Sequence, residues 1–197
     1  MILSLDLSSS CTGYTLLDPI NDTYIVDKIT PTQKSTFRRI WNTVNEIKKL
    51  YPKVTEVVIE DTFSGINKKS VKVLDRLGGA VIYSWIEYSK SEPTMVNAVS
   101  ARKLVGLDPQ ISKAESQLWI IANFFPKISI KQFSVDKVAL RKSYVNRKIT
   151  KSQWKYRIDK LSNEIAEQTG IDNNMADSMI LALAYLKKVY NKTLAKG

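Results

Sequence analysis

The chain has 197 residues and a mass of 22.4 kDa, with 44% hydrophobic and 25% charged residues, which is typical of one soluble globular domain. It contains no histidine and one cysteine, which excludes Ser-His-Asp and Cys-His catalytic sites, histidine zinc sites and internal disulfides. The formal net charge of +11 suits a polyanionic partner.

The N-terminal apolar segment, residues 1–7, has no basic leader and is too short for a signal peptide. The longest apolar stretches, such as residues 179–186, are too short to span a bilayer. A single cysteine is no mark of an oxidising compartment. We therefore expect a cytoplasmic protein without a membrane partner.

The first elements are predicted to be strands. Residues 2–7 form an apolar run that contains Asp6, and a polar turn leads to a second apolar run at 14–17. A third candidate strand covers residues 23–29. Three short strands joined by turns predict an antiparallel meander whose first strand ends on a carboxylate.

Helices and strands alternate after the meander. Residues 32–51 have an amphipathic helical pattern, and the β-branched run 54–60 returns as a strand, which indicates a parallel crossover. Further elements are predicted as a helix at 68–88, a strand at 93–99, a helix at 112–125 and two helices within 158–188 that divide near Gly170. The pattern predicts one α/β domain over residues 1–197, with a mixed five-stranded sheet flanked by helices.

A basic segment at about 126–165 interrupts this pattern. Residues 131–160 contain ten Lys and Arg residues and two acidic residues, interleaved with Phe133, Tyr144, Trp154 and Tyr156. One interpretation is a solvated helical hairpin whose aromatic side chains are core residues. The other is an added DNA-binding surface, because Lys and Arg contacts to phosphates supply salt-sensitive affinity.

Three acids have positions that favour a metal site. Asp6 and Glu60 lie at strand ends, and Asp177 begins an apolar helix. Carboxylates that meet at one edge of a sheet repel each other, and divalent cations offset that repulsion. Each acid also has an ordinary interpretation: a turn residue for Asp6, a solvated turn for Glu60 beside Asp61, and a helix N-terminal charge for Asp177.

Three separate segments of the sequence carry a family resemblance. Asp6 is followed by Thr12-Gly13-Tyr14, with Leu7-Ser8 where the family has Pro-Gly, and Ile59-Glu60-Asp61-Thr62-Phe63 is followed by Asn67 and Ser70. In these motifs the chain resembles the RuvC-type Holliday junction resolvases of the RNase H-like superfamily. The resemblance implies an RNase H-like fold and a base-stacking role for Phe63 in a polar loop.

The third motif of this family is Asp-x-x-Asp-Ala, and its counterpart here is Asn174-Met175-Ala176-Asp177-Ser178. Asn174 replaces the first acid, so the fourth metal ligand is either this amide or Asp172. The family also has a lysine at a helix start that reaches a phosphate, for which Lys113 is the nearest match. The resemblance covers roughly residues 1–125 and 165–190.

The resemblance implies a structure-selective endodeoxyribonuclease that resolves four-way or other branched DNA. Asp6, Glu60 and Asp177, with Asn174 or Asp172, would hold two Mg²⁺ or Mn²⁺ ions for phosphodiester hydrolysis, and a homodimer would match the two-fold junction. Such an enzyme would suit a bacterium or a phage-infected host cell. The candidate DNA-binding residues are Phe63, Asn67, Lys68, Lys69, Lys113, Arg141, Lys142, Arg147 and Lys148.

Other functions share some of these features. Asn174 and the basic segment also fit a junction-binding protein that does not cleave, and the same carboxylates could serve an RNase H-type nuclease acting on RNA–DNA hybrids. An actin-like or sugar-kinase-like ATPase would need a second domain and another glycine-rich phosphate loop, and seven scattered glycines supply neither.

Overall fold

The computed structural model describes residues 1–61, 68–125 and 150–194, without the side chains of residues 68–70. Within these residues the chain forms a five-stranded sheet with strand order β3-β2-β1-β4-β5. The strands are β1 (Ile2–Asp6), β2 (Thr12–Asp18), β3 (Thr23–Ile29), β4 (Glu56–Glu60) and β5 (Thr94–Val96).

Antiparallel and parallel pairing meet at β1. The β1, β2 and β3 strands form an antiparallel meander, whereas β4 runs parallel to both β1 and β5. The expected mixed five-stranded sheet is therefore confirmed. Because the C-terminal ends of β1 and β4 lie side by side, whatever follows these two strands meets at one edge of the sheet.

Helices cover both faces of the sheet. They are α1 (Thr36–Lys48), α2 (Lys68–Ser89), α3 (Ala98–Leu104), α4 (Lys113–Phe124), α5 (Lys151–Thr169) and α6 (Asn173–Tyr190), with a short 3-10 helix at Tyr51–Lys53. One buried cluster joins the sheet to α1 and α2, and another joins it to α3, α4 and α6. None of the described helices combines the length and apolar composition needed to cross a lipid bilayer.

Side-chain alternation along β1 decides which face receives the acid. Leu3 and Leu5 are buried in the cluster with α1 and α2, whereas Ile2 is buried in the cluster with α6. Because successive side chains of a strand point to opposite faces, Ser4 and Asp6 share the α6 face with Ile2. The strand thus directs its only carboxylate towards the last helix.

The predicted strand at 93–99 is wrong at its C-terminal end. The strand stops at Val96, and Asn97 caps the new helix α3 by accepting hydrogen bonds from the backbone N–H groups of Val99 and Ser100. The asparagine side chain satisfies amides that a continued strand would have paired.

The predicted basic insertion is described only in part. Residues 151–165 belong to α5, which buries Ile158, Leu161 and Ile165 against α4, so this part of the segment contributes to the core. Residues 126–149 lie outside the described part of the chain.

Helix α6 approaches the sheet unusually closely. A Cβ atom placed on Gly13 would lie 2.1 Å from the carbonyl oxygen of Asn174, so only glycine fits at this point of β2. The Ser4 hydroxyl donates to the Ser178 carbonyl oxygen at 2.6 Å, and the hydroxyls of Thr15 and Ser178 are hydrogen-bonded at 2.9 Å. These buried contacts fix the first two turns of α6 on β1 and β2.

We predict that Gly13→Ala lowers the free energy of unfolding by about 1–3 kcal/mol, because the new methyl group must push α6 away from β2. Urea unfolding measures the change. Gly79→Ala is the matched control: Gly79 lies in α2 with open space around it, and an alanine there should stabilise the protein by about 0.5–1 kcal/mol. Equal effects of the two substitutions would contradict the prediction.

Candidate functional site

Asp6 and Glu60 lie next to each other at the C-terminal ends of two parallel strands. Leu5 pairs with Ile59 in the register of β1 and β4, which brings the following residues, Asp6 and Glu60, together. Asp6 is only 4% exposed, and its Oδ2 atom has no hydrogen-bond partner among the described residues. The structure therefore brings together the two acids that the sequence placed at strand ends.

Helix α6 supplies the third acid, and a lysine links it to the first. Asp177 is buried in the second turn of α6. The Lys113 ammonium nitrogen lies 2.9 Å from Asp177 Oδ2 and 3.6 Å from Asp6 Oδ2. Asp6 and Asp177 are thus close enough to share one cation.

The two candidates for the fourth ligand have different surroundings. Asn174 lines the same cavity as Asp6 and Glu60, and its amide nitrogen donates to the Cys11 carbonyl oxygen at 3.0 Å. This bond leaves the amide oxygen of Asn174 available as a ligand.

Asp172 is instead the N-cap of α6. Its Oδ1 accepts from the backbone N–H groups of Asn174 and Met175 at 3.0 and 3.1 Å, and its Oδ2 pairs with Lys28 at 2.8 Å. Asp172 does not belong to the described residues that line the cavity. Asn174 is therefore better placed than Asp172 to be the fourth metal ligand.

An open cavity of about 400 Å³ lies at this edge of the sheet. Its polar wall consists of Asp6, Glu60, Asn174, Lys113 and Ser8, with Leu7 and Leu74 beside them. Carboxylate and amide oxygens are the ligands that Mg²⁺ and Mn²⁺ prefer. The donor types fit a divalent cation, and so does the buried Oδ2 of Asp6, which has no hydrogen-bond partner among the described residues.

The acids are nevertheless not gathered into a finished metal centre. Among residues 1–61, 68–125 and 150–194, no three acidic or thiol side chains form a group that could hold a metal ion as they stand. Asp6 and Asp177 both face the Lys113 ammonium group. Binding of a metal ion would therefore require these side chains to rearrange.

Crowded charges perturb the ionisation of two groups. Burial raises the pKa of Asp6 well above its usual range, and the hydrogen bond to Glu60 and the charges of Glu60 and Asp177 raise it further, against the opposing effect of Lys113. Burial disfavours the charged form of Lys113, but the carboxylates of Asp6 and Asp177 outweigh burial and raise the pKa of its ammonium group. Lys113 therefore stays positively charged.

The site contains a second cation, Arg102, which the sequence patterns did not identify. Arg102, in α3, lies 3.6 Å from Asp177 Oδ1 and donates to the Ile111 carbonyl oxygen at 3.2 Å. Its side chain is 12% exposed. No motif marked this arginine, because its pairing with Asp177 depends on how α3 crosses α6.

Most of the candidate DNA-binding residues lie outside the described part of the chain: Phe63, Asn67, Arg141, Lys142, Arg147 and Lys148, together with the side chains of Lys68 and Lys69. Lys113 is the member of that set whose side chain the structure describes, and it lies at the cavity. The described end of the basic segment adds exposed cations on α5, at Lys151, Lys155, Arg157 and Lys160, beside Tyr156, which is 69% exposed.

Comparison with known proteins gives a limited result. Neither a protein-family model nor a curated protein matches the sequence. Among solved structures, the chain is similar to T. thermophilus RuvC in complex with a Holliday junction substrate, with 11% identity, a TM-score of 0.49 and coverage of 61% of this chain and 76% of that one. A second Thermus thermophilus RuvC structure has 11% identity, a TM-score of 0.47 and coverage of 61% and 78%. Sequence identities and TM-scores this low do not establish the family of the chain.

We predict that Asp6→Asn stabilises the folded protein at pH 8. The raised pKa of Asp6 means that the folded protein binds a proton there more tightly than the unfolded chain does. The stability contributed by Asp6 is therefore complete below pH 3.8, the value of an unperturbed aspartate, and is lost as the pH rises through the raised pKa.

Urea unfolding between pH 4 and pH 8 measures this effect. The free energy of unfolding of Asp6→Asn should be higher than that of the wild type at pH 8, and this difference should shrink towards pH 4. A variant less stable than the wild type at pH 8 would show that the Lys113–Asp6 attraction outweighs the burial of the carboxylate.

We predict that Arg102→Leu lowers the free energy of unfolding by about 2 kcal/mol, because the buried Asp177 carboxylate loses one of its two cations. Thermal or urea unfolding measures the loss. The control is Lys49→Leu, which removes an exposed pair with Glu46 and should change stability by about 0.5 kcal/mol or less. The Arg102 effect should shrink in an Asp177→Asn background, and persistence of the full loss there would argue against the pairing.

Proposed function

We propose that this protein is a divalent-metal-dependent endodeoxyribonuclease that cuts four-way or other branched DNA. The observation that carries the proposal is the convergence of Asp6, Glu60 and Asp177, with Asn174, at one edge of the sheet. The motifs around Asp6, Glu60 and Asp177, which resemble those of junction resolvases, support branched DNA as the substrate.

The proposed metal site takes two Mg²⁺ ions, for which Mn²⁺ can substitute. When bound, such ions would activate water for attack on a phosphodiester and would stabilise the leaving oxygen. The chain's own part is to hold the ligands: β1 and β4 fix Asp6 and Glu60, and the Arg102 contact orients Asp177. No histidine is required.

Three features support DNA as the partner. The net charge of +11 favours a polyanion, and the cations of α5 are exposed. Lys113 lies at the cavity, where it could meet a phosphate. We further propose that Phe63 stacks on a base near the junction centre and that the enzyme acts as a homodimer, with one site for each of two strands.

One alternative also has a specific observation in its favour. Asn174 is neutral where the resolvase motif has an acid, and Lys113 already pairs with two of the acids. Both features suit a protein that binds junctions without cutting them.

Cleavage of matched substrates tests the proposal. With Mg²⁺, the wild type should nick a labelled four-way junction in preference to a linear duplex or an RNA–DNA hybrid of the same sequence. Asp6→Asn and Glu60→Gln should each slow nicking by roughly a hundredfold or more, since each removes a proposed ligand of the metal ions that would stabilise the developing charge, and Asp6→Asn should retain junction binding.

Glu46→Gln makes the same chemical change on α1, away from the cavity, and should nick at the wild-type rate. Preferential cleavage of the RNA–DNA hybrid would contradict junction resolution and would indicate an RNase H-type nuclease. Tight junction binding without Mg²⁺-dependent nicking would favour the non-cleaving alternative.

A further inference from the structure

Lys113 is the first residue of α4, and the helix holds this position firmly. Ser112 is the N-cap, and its side chain and that of Glu115 form a capping box that fixes the first turn. A cation at a helix N-terminus is unfavourable, because the helix dipole is positive there. Lys113 therefore does not stabilise its own helix, and its partners are the acids of the cavity.

The Lys113 ammonium group competes with a metal ion for the same oxygens. It lies 2.9 Å from Asp177 Oδ2 and 3.6 Å from Asp6 Oδ2. Carboxylate oxygens are the ligands that Mg²⁺ prefers, so a metal ion held by Asp6 and Asp177 would take oxygens that the ammonium group now contacts. The ammonium group and the metal ion would therefore compete for the same two carboxylates.

The two cations of the site differ in their freedom to move. Arg102 is 12% exposed and is also anchored to the Ile111 carbonyl oxygen. Lys113 is 52% exposed, and its long side chain can swing into the cavity mouth without movement of α4. Arg102 contacts Oδ1 of Asp177 and Lys113 contacts Oδ2, so Asp177 keeps one partner when Lys113 leaves.

We propose that Lys113 is a resident counter-ion that a divalent cation must displace, and that the displaced ammonium group then binds the DNA backbone. Lys113 thereby couples metal binding to DNA binding. This inference has a metal half, the displacement of Lys113, and a DNA half, its binding to the DNA backbone. Only the DNA half rests on the proposed function. In the absence of metal, Lys113 is held by the acids and adds little to DNA affinity.

The metal half is tested with Mn²⁺ alone, by titrating the full chain and measuring free Mn²⁺ by electron paramagnetic resonance. Lys113→Met should bind Mn²⁺ roughly tenfold more tightly than the wild type, a coupling within the usual range between two competing ligands. Lys113→Gln should behave in the same way, which guards against a folding defect peculiar to one variant. Unchanged or weaker Mn²⁺ binding by both variants would overturn the proposal.

Lys28→Met is the matched control. Lys28 also pairs with an acid of α6, at 2.8 Å from Asp172, but neither residue belongs to the described lining of the cavity. Its removal should leave Mn²⁺ affinity within about twofold of the wild type, because Lys28 pairs with Asp172 and does not compete for the oxygens of Asp6 and Asp177. An equal gain in Mn²⁺ affinity for Lys28→Met and Lys113→Met would mean that only net charge matters. This result would overturn the proposal that metal displaces Lys113.

The DNA half is tested by junction binding at several salt concentrations, first with EDTA and then with Ca²⁺, with intact strands verified on a denaturing gel. With EDTA, wild type and Lys113→Met should have equal salt dependence. With Ca²⁺, the log–log slope of the wild type should be steeper by about 0.9, the value of one added phosphate contact. Equal slopes in Ca²⁺, or a difference already present in EDTA, would contradict the release of Lys113 by metal.

The two proposals fail in different ways. If Lys113→Met binds Mn²⁺ more tightly but no DNA substrate is cut, the nuclease function is wrong and the competition for Asp6 and Asp177 stands. If the junction is cut but Mn²⁺ affinity is unchanged, the nuclease function stands and the counter-ion role is wrong.

Discussion

The contact between the first turns of α6 and the backbone of β2 is the constraint on which the candidate site depends. Gly13 lets the two backbones meet, and the hydroxyls of Ser4 and Thr15 bind Ser178 on the helix. These contacts set the height of α6 along the sheet, and this height decides whether Asp177 and Asn174 reach the level of Asp6. An inserted methyl group at residue 13 would therefore act on the site although it touches none of the acids.

Burial of a carboxylate, together with repulsion between neighbouring acids, is the main effect that opposes folding at this edge of the sheet. Burial and neighbouring acids raise the pKa of Asp6, which means that the fold tolerates an unfavourable carboxylate there. Lys113 and Arg102 offset part of that repulsion from the α6 side. Perturbed pKa values of this kind are common where a protein keeps ionisable groups ready for a ligand.

Local pattern was sufficient to predict the sheet. The apolar run of β1 and the β-branched run before Glu60 predicted two neighbouring strand ends, and the third strand was predicted with its observed bounds, Thr23–Ile29. The start of α3 could have been found, because Asn97 is a good N-cap. The ion pairs of Arg102 and Lys113 with Asp177 could not, because they arise from the crossing of helices that are far apart in sequence. The capping role of Asp172 follows only from the observed start of α6, which leaves its oxygens engaged by the backbone and Lys28.

The alternation of side chains along β1 has a consequence for how this chain tolerates insertions and deletions. Leu5 and Leu7 belong to the cluster with α1 and α2, and Asp6 between them faces the other side. Loss or gain of one residue in this strand would exchange the two faces, so that a leucine would take the position of Asp6 and the carboxylate would lie among apolar side chains. Length changes at this strand therefore abolish fold and site together, whereas single substitutions of Asp6 separate them.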